Sequence, residues 1–297
     1  MTTPSCRRGA MRALASALVL FVAALVLAPP AAHAETPSAA LAQTKPAKRI
    51  VALVPSLVED LFAIGVGDRV VGVSKYSDFP AQAKQLPVIA SFASVNVERI
   101  VALHPDLVVG IASQAAMTRD LQRAGLNVQL LHDDTLEDVY ANLLTVGALT
   151  GRTDAARTLV QRLRARTIEL TRTIPRTANA PSLFVVLGTA PIFTVGNGSY
   201  IARLIALAGA RNAASDIAVP YARYSAETLL ARQPDALVID PEIHFDDVVG
   251  QAPWTALQAV QDHRVFTLPD AAILERPGPR YNEGLAWLIG VVRRIAH

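Results

Sequence analysis

The sequence predicts an α/β protein of two related, Rossmann-like lobes, each built on a central parallel sheet, joined by a single long α-helix with a cleft between them. Three observations carry that prediction. Short apolar runs alternate with stretches of helical spacing from Arg49 to the C-terminal residues. One twelve-residue pattern occurs twice, 129 residues apart. Between its two copies, Thr153 to Ile174 reads as one uninterrupted helix ended by Pro175. The organisation expected is an export signal over residues 1–34, a flexible leader over 35–48, an N-terminal lobe over 49–152, a linking helix over 153–175 and a C-terminal lobe over 176–297.

The first 34 residues read as a signal peptide. Arg7, Arg8 and Arg12 make a basic start, an apolar run from Ala13 to Ala28 follows, and Ala32-His33-Ala34 has the small-x-small form of a cleavage site. The run is shorter than the roughly 20 apolar residues that span a bilayer. Gly9-Ala10-Met11 gives no support to a twin-arginine route, and Cys6, the one cysteine, lies before the apolar run, where it cannot serve as a lipoprotein cysteine. Cleavage leaves 297 less 34, or 263, residues without cysteine, which excludes disulfides, thiolate metal sites and a cysteine nucleophile. It also removes three of the 28 Lys and Arg residues, so that 25 remain against 25 Asp and Glu. A neutral body of mixed charge argues against nucleic-acid binding.

The elements follow in order. Arg49 to Val54 is a buried strand closed by Pro55-Ser56, and Leu57 to Ile64 has helical spacing stopped by Gly65. Val70 to Val73 and Leu107 to Val109 are strands, with a short helix from Glu98 to Leu103 between them; Leu121 to Ala124 and Val128 to Leu131 are a further helix and strand. Leu136 to Leu149 is a helix capped by Thr135. In the long helix, Leu159, Leu163, Leu170 and Ile174 form one apolar stripe, while Arg152, Arg157, Arg162, Arg164, Arg166 and Arg172 load the remaining surface; an ordinary covering helix fits the same pattern. Alternation then restarts. Leu183 to Leu187 is a strand, Gly196-Asn197-Gly198 a turn, and Ser199 the cap of a helix from Tyr200 to Ala208. Ala236 to Ile239 and Val265 to Leu268 are strands, and Leu285 to Ile295 is a terminal helix.

The repeat matches Glu98, Ala102, Pro105 and Asp106 to Glu227, Ala231, Pro234 and Asp235, each set followed by apolar strand residues. The separation is far longer than a solenoid period. Two related lobes, each holding a helix–Pro-Asp–strand unit, produce such a pattern. Glu98 and Glu227 each lie two positions after a capping residue, Asn96 and Ser225. A carboxylate in a first helical turn is favoured by the helix dipole alone, and a paired functional role fits equally at this point.

These segments resemble the helical-backbone family of periplasmic substrate-binding proteins, whose members serve ABC importers of cobalamin, haem and ferric siderophores. Ile50 to Gly65 is similar to the family's opening strand–Pro-Ser–helix unit, and Val71 to Pro80, Val97 to Val109, Pro191 to Gly198 and Ser225 to Ile239 follow in family order. Tyr-Ser-Asp-Phe-Pro at 76–80 and Glu-Arg-Pro-Gly-Pro-Arg at 275–280 resemble the cobalamin-binding branch most. Three features depart from it: Leu57-Val58 stand where many relatives carry polar residues, Ile111 stands where the branch often has a large aromatic, and Trp254 and Trp287 fall at no obvious pocket position.

The resemblance implies a monomeric periplasmic receptor without a cofactor of its own. Its small-molecule ligand is then a corrinoid or another metal chelate, and its partners are the membrane subunits of an ABC importer. Glu98 and Glu227 match the family's transporter-docking carboxylates. Tyr76, Phe92 and Tyr221 match ligand-facing aromatics, Phe193 lies near another pocket segment, and Arg280 is a candidate contact for an acidic ligand edge. Each aromatic is equally a candidate for core packing, and Arg280 for a solvated loop charge.

The signatures of common enzyme classes are missing. The chain has no Gly-x-Ser-x-Gly, no His-Glu-x-x-His and no Gly-x-x-x-x-Gly-Lys, and no catalytic residue is assigned. Asp133-Asp134 after His132 fits a metal or general-base site less well than the start of a helix, and His104, His132, His244 and His263 form no recognisable ligand set. The alternatives are a receptor for haem or a ferric siderophore and, from a different class, an exported α/β enzyme acting in the cleft.

Overall fold

In a computed structural model of the chain, residues 45–91, 93–175 and 179–295 are described. The expected signal peptide and residues 35–44 of the expected leader lie outside them. Strand β1 (Ile50–Ala52) leads into helix α1 (Pro55–Ala63), followed by β2 (Val70–Ser74), β3 (Val88–Ala90), α2 (Val97–Ala102), β4 (Leu107–Ile111), α3 (Arg119–Arg123), β5 (Val128–Leu131) and α4 (Leu136–Leu149). All five strands pair in parallel, in the order β3-β2-β1-β4-β5. Helix α5 (Thr153–Thr171) then runs, at 1.5 Å per residue, roughly 28 Å to the second half of the chain.

There β6 (Ser182–Val186) is followed by β7 (Gly188–Thr189), β8 (Ile192–Val195), α6 (Tyr200–Leu207), β9 (Arg211–Asn212), β10 (Tyr221–Arg223), α7 (Ala226–Arg232), β11 (Ala236–Ile239), α8 (Gln258–Gln261), β12 (Val265–Thr267), α9 (Ala272–Glu275) and α10 (Tyr281–Ile295). Four of these strands form a second parallel sheet, β12-β11-β6-β9. The other three form an antiparallel ribbon, β10-β8-β7, which the sequence reading does not contain.

The central strands read as unbroken apolar runs because both faces of each parallel sheet are covered. Ile50, Ala52, Leu107 and Val109 point into one core, and Val51, Leu53 and Val108 into another on the opposite face. The second sheet alternates in the same way, Leu183 and Val185 against Phe184 and Val186. The first core is continuous through both halves of the chain and includes the buried stripe Ala156, Val160 and Leu163 of α5. Helix α5 lies against α4 and α10, and the six arginines loaded around it are exposed. Trp254 is buried edge-on to Phe245, with ring centres 5.1 Å apart, and Trp287 packs on the first core, so both tryptophans are structural.

The repeat has a physical basis. Asn96 and Ser225 cap their helices, accepting from the N–H groups of Arg99 and Thr228. Each helix ends on a left-handed residue before the proline, His104 at φ 46° and Gln233 at φ 43°. The aspartate that follows fastens the start of the sheet's central strand. Asp106 accepts from the N–H groups of Lys48 and Arg49 at 2.8–3.1 Å, and Asp235 accepts from the N–H and hydroxyl of Ser182 at 2.7 Å. The strands after them pair with β1 and β6. One consequence corrects the reading of a flexible leader up to residue 48: Ala47 is buried and donates to the carbonyl of Leu149 at 2.9 Å, and Lys48 is held by Asp106.

Candidate functional site

In open parallel sheets, loops at the carboxyl ends of the strands, next to the point where strand order reverses, form the binding crevice. Two such edges meet here. A cavity of about 560 Å³ is lined from the first half by Leu53, Val54 and Pro55 after β1 and by Ser74, Lys75, Tyr76 and Asp78 after β2. From the second half it is lined by Asp240, Pro241 and Glu242 after β11, Pro269 and Asp270 after β12, and Glu275 and Arg276 around the end of α9.

Tyr76 is 60% exposed, and its backbone is left-handed at φ 70°, a costly conformation for a residue with a side chain. The Lys75 ammonium lies 4.7 Å from its ring centre. Tyr221 and Phe193 sit on the antiparallel ribbon, where Tyr221 pairs with Val195 and Arg223 with Phe193; the two aromatics are diagonal neighbours on one face, 37% and 36% exposed. Gly196 and Gly198 make this ribbon possible. A Cβ on either would meet the carbonyl oxygen of Val219 or Ala218, so only glycine lets the segment leading into Tyr221 cross the turn this closely. Desolvation of the Tyr221 phenol pushes its pKa up, and the carboxylates Asp133, Glu275 and Asp134 push it the same way. Phe92 lies outside the described residues.

The sequence reading missed the charged lining of the cleft. Burial, reinforced by Asp240 and then Glu242, raises Glu275 to a pKa of about 8, and one of its carboxyl oxygens has no hydrogen-bond partner among the described residues. Outside that lining, burial, with Asp134 and Asp138 beside it, raises Asp133, which the sequence reading names, to about 6. Thr135 begins α4 as its cap, in a reciprocal box with Asp138. Among the described residues no three His, Cys, Asp or Glu side chains are grouped to hold a metal.

Arg280 is neither a solvated charge nor free to meet a ligand edge. Its side chain is 12% exposed, and its guanidinium is committed to Glu59 at 2.9 and 3.0 Å and to Asp270 at 3.3 Å. Glu59, on α1, is 1% exposed and also accepts from Arg276 at 3.1 Å. A buried ion-pair cluster therefore ties the first half of the chain to the segment between α9 and α10. Its register is set by Tyr281, whose hydroxyl meets Tyr140 on α4 at 2.7 Å and Thr167 on α5 at 2.6 Å, and by Tyr200, whose hydroxyl donates to the carbonyl of Leu274. Glu98 and Glu227 lie away from the cavity lining, exposed in the first turns of α2 and α7; a hydrogen bond from the Ser225 hydroxyl holds Glu227 below its usual carboxylate pKa.

Of the predicted aromatics Tyr76 lines the cavity, and Tyr221 and Phe193 are not among its lining residues. Two parallel sheets meeting across a carboxyl-lined cleft, with a helix between them, is an architecture for holding a solute. The chain matches the periplasmic binding protein family over residues 50–272. It belongs to that family. The chain is 30% identical to the vitamin B12-binding protein of Vibrio cholerae serotype O1 over 247 residues, 82% of this chain and 88% of the relative. The solved structure of the periplasmic vitamin B12 binding protein BtuF of Vibrio cholerae matches with a TM-score of 0.75 at 28% identity, covering 84% of this chain and 98% of that one. The periplasmic heme-binding protein RhuT from Roseiflexus sp. RS-1 matches as well, with a TM-score of 0.76 at 27% identity and coverage of 84% and 99%.

Proposed function

We propose that this protein captures a cobalamin-like corrinoid in the periplasm and delivers it to an ABC importer of the inner membrane, after export by a cleaved signal peptide over residues 1–34. Residues 49–152 and 176–297 act as the two lobes, with 153–175 as the link. The observation that carries the choice of ligand is the charge of the cleft. Asp78, Asp240, Glu242, Asp270 and Glu275 line it; Asp78 is paired with Arg276 and Asp270 with Arg280, Glu275 is held protonated, and Asp240 and Glu242 supply the negative charge against Lys75. Haem presents ionised propionates, which such a lining repels. A corrinoid presents a rim of neutral amides, which both donate and accept, and a carboxyl with a pKa of about 8 stays protonated at neutral pH and donates to an amide carbonyl. Tyr76, Tyr221 and Phe193 supply faces for the macrocycle, with Phe92 as a further candidate.

Glu98 and Glu227 are the proposed contacts to the membrane subunits, one per lobe. Their exposure, and their matched positions two residues after a cap, support that role. Charge pairing of this kind sets orientation and encounter more than affinity.

Equilibrium titration of the purified protein with cyanocobalamin, cobinamide, haemin and a ferric hydroxamate tests the ligand. Micromolar or tighter binding of the corrinoids with no haemin binding is expected; haemin or hydroxamate binding without corrinoid binding overturns the choice, and turnover of a bound compound overturns the receptor reading. Glu98→Ala with Glu227→Ala is expected to leave cyanocobalamin affinity unchanged and abolish uptake in cells. Normal uptake refutes the docking assignment.

A further inference from the structure

We propose that Arg276 is a positioning residue of the ligand site. It reaches from the second lobe to fix the Tyr76 loop of the first, and Glu59 holds it in place. The inference rests on the reading of Tyr76 as a ligand-facing ring.

The Tyr76 ring is largely exposed, with the Lys75 ammonium as its recorded ring contact, so its backbone sets its direction. That backbone is left-handed, a conformation that persists only where surrounding groups over-determine it. Within the loop the Ser77 N–H donates to the Ser74 carbonyl at 3.2 Å and the Asp78 N–H to the Tyr76 carbonyl at 3.0 Å, and Arg276 adds restraints from across the cleft. One terminal nitrogen donates to the Tyr76 carbonyl at 2.9 Å, and the other to Asp78 at 2.7 Å and to Glu59 at 3.1 Å. The same guanidinium therefore grips the loop at two points, 76 and 78, while a buried carboxylate anchors it from behind. Arg280 holds a third point, lying 4.0 Å from the centre of the Phe79 ring and bonded to the same Glu59. Pro277 and Pro279, between the two arginines, stiffen the segment that carries them. A planar fork with several fixed donors can span these acceptors at once, which a lysine ammonium on a flexible stem cannot do with the same order. Fixing an aromatic face before the ligand arrives lowers the ordering cost of binding.

The test combines a double-variant cycle with amide exchange. Arg276→Gln is expected to weaken cyanocobalamin binding about tenfold, as loss of one charge-assisted contact would. Added to Tyr76→Ala, it is expected to weaken binding no further. In the ligand-free protein, amides of residues 75–79 exchange faster in Arg276→Gln, while those of β4 and β11 are unchanged. Additive losses in the double variant overturn the proposal, because Arg276 then contacts the ligand itself; unchanged exchange at 75–79 also overturns it. Should Arg276→Gln fail to fold, Arg276→Lys keeps the charge beside Glu59 and is expected to give the same local increase in exchange. If the wild-type protein binds no cyanocobalamin, the choice of ligand falls, and the exchange measurement still decides the clamp.

Discussion

Glu59 pairs with two arginines at the junction of the two lobes, and its removal has a calculable effect. Its carboxylate is 1% exposed and accepts three hydrogen bonds from two arginines, at 3.1, 2.9 and 3.0 Å. Substituting Glu59→Leu leaves Arg276 and Arg280, 17% and 12% exposed, with their buried sides unpaired. Breaking a buried pair by removing one partner costs about 3–5 kcal/mol. Both arginines keep a second acceptor, Asp78 or Asp270, each about half exposed, so the lower figure of about 3 kcal/mol applies. For a chain of this size that corresponds to a fall of roughly 6–12 °C in the thermal midpoint.

The assay is thermal and urea unfolding of the mature protein, followed by circular dichroism. Replacing the whole cluster with apolar residues, Glu59→Leu together with Arg276→Met and Arg280→Leu, removes the buried charge with its partners and recovers most of the loss. A Glu59→Leu variant that melts with the wild-type protein, or a triple variant less stable than the single one, refutes the account.

Asp60, next to Glu59 on α1, is fully buried, and neither of its carboxyl oxygens has a hydrogen-bond partner among the described residues. Burial, and then the charge of Glu59, hold its pKa well above the ordinary value. The folded state thus keeps a proton that the unfolded chain releases above pH ~4, so this group makes stability fall as pH rises from there. Asp60→Leu is expected to raise stability by about 1–3 kcal/mol at pH 4, where the buried unpaired carboxyl is already neutral, and by more at pH 7; a variant less stable at pH 7 contradicts this. The strand-fastening aspartates predict a graded pair. Asp235→Ala, which strips a half-buried acceptor from Ser182, is expected to cost about 2 kcal/mol, and Asp106→Ala, more exposed, about 1 kcal/mol, both read from urea midpoints. Equal and negligible effects would make the repeat a coincidence of sequence.

The parts of the fold that were legible are those whose sequence signal is local. Strands β1, β4, β6 and β11 are buried on both faces, so each is an apolar run, and the helices beside them carry caps that the structure uses. Strand β3 was missed because three residues after Pro87 give no period to detect. The antiparallel ribbon was missed because Tyr221-Ala222-Arg223 has no apolar run; the strand exists by pairing with β8 under a loop that Gly196 and Gly198 let through. The charged lining of the cleft was illegible for a different reason. Glu59 and Arg276 lie 217 residues apart, and no local pattern names the partner of a buried carboxylate. The adjacent Glu59-Asp60 inside an apolar helix was the available sign, since two acids on neighbouring positions cannot both face solvent where four of their neighbours are core.

The repeat ties the proposed docking carboxylates to the cavity by topology. Helix α2 runs back to the amino end of β4, and α7 to the amino end of β11, because each crossover in a parallel sheet must return the chain to the edge where strands begin. Their first turns therefore lie at the opposite edge, where the strands end and the cavity opens. Glu98 and Glu227 are in those first turns. A membrane subunit that pairs with both carboxylates would cover the edge through which the solute must leave. It would do so without any change in the sheets, since the capping residue, the left-handed turn and the fastening aspartate fix each helix to its own strand. On this arrangement, release depends on what the subunit does to the loops at that edge, among them the Tyr76 loop, which Arg276 holds at Tyr76 and Asp78 and Arg280 at Phe79.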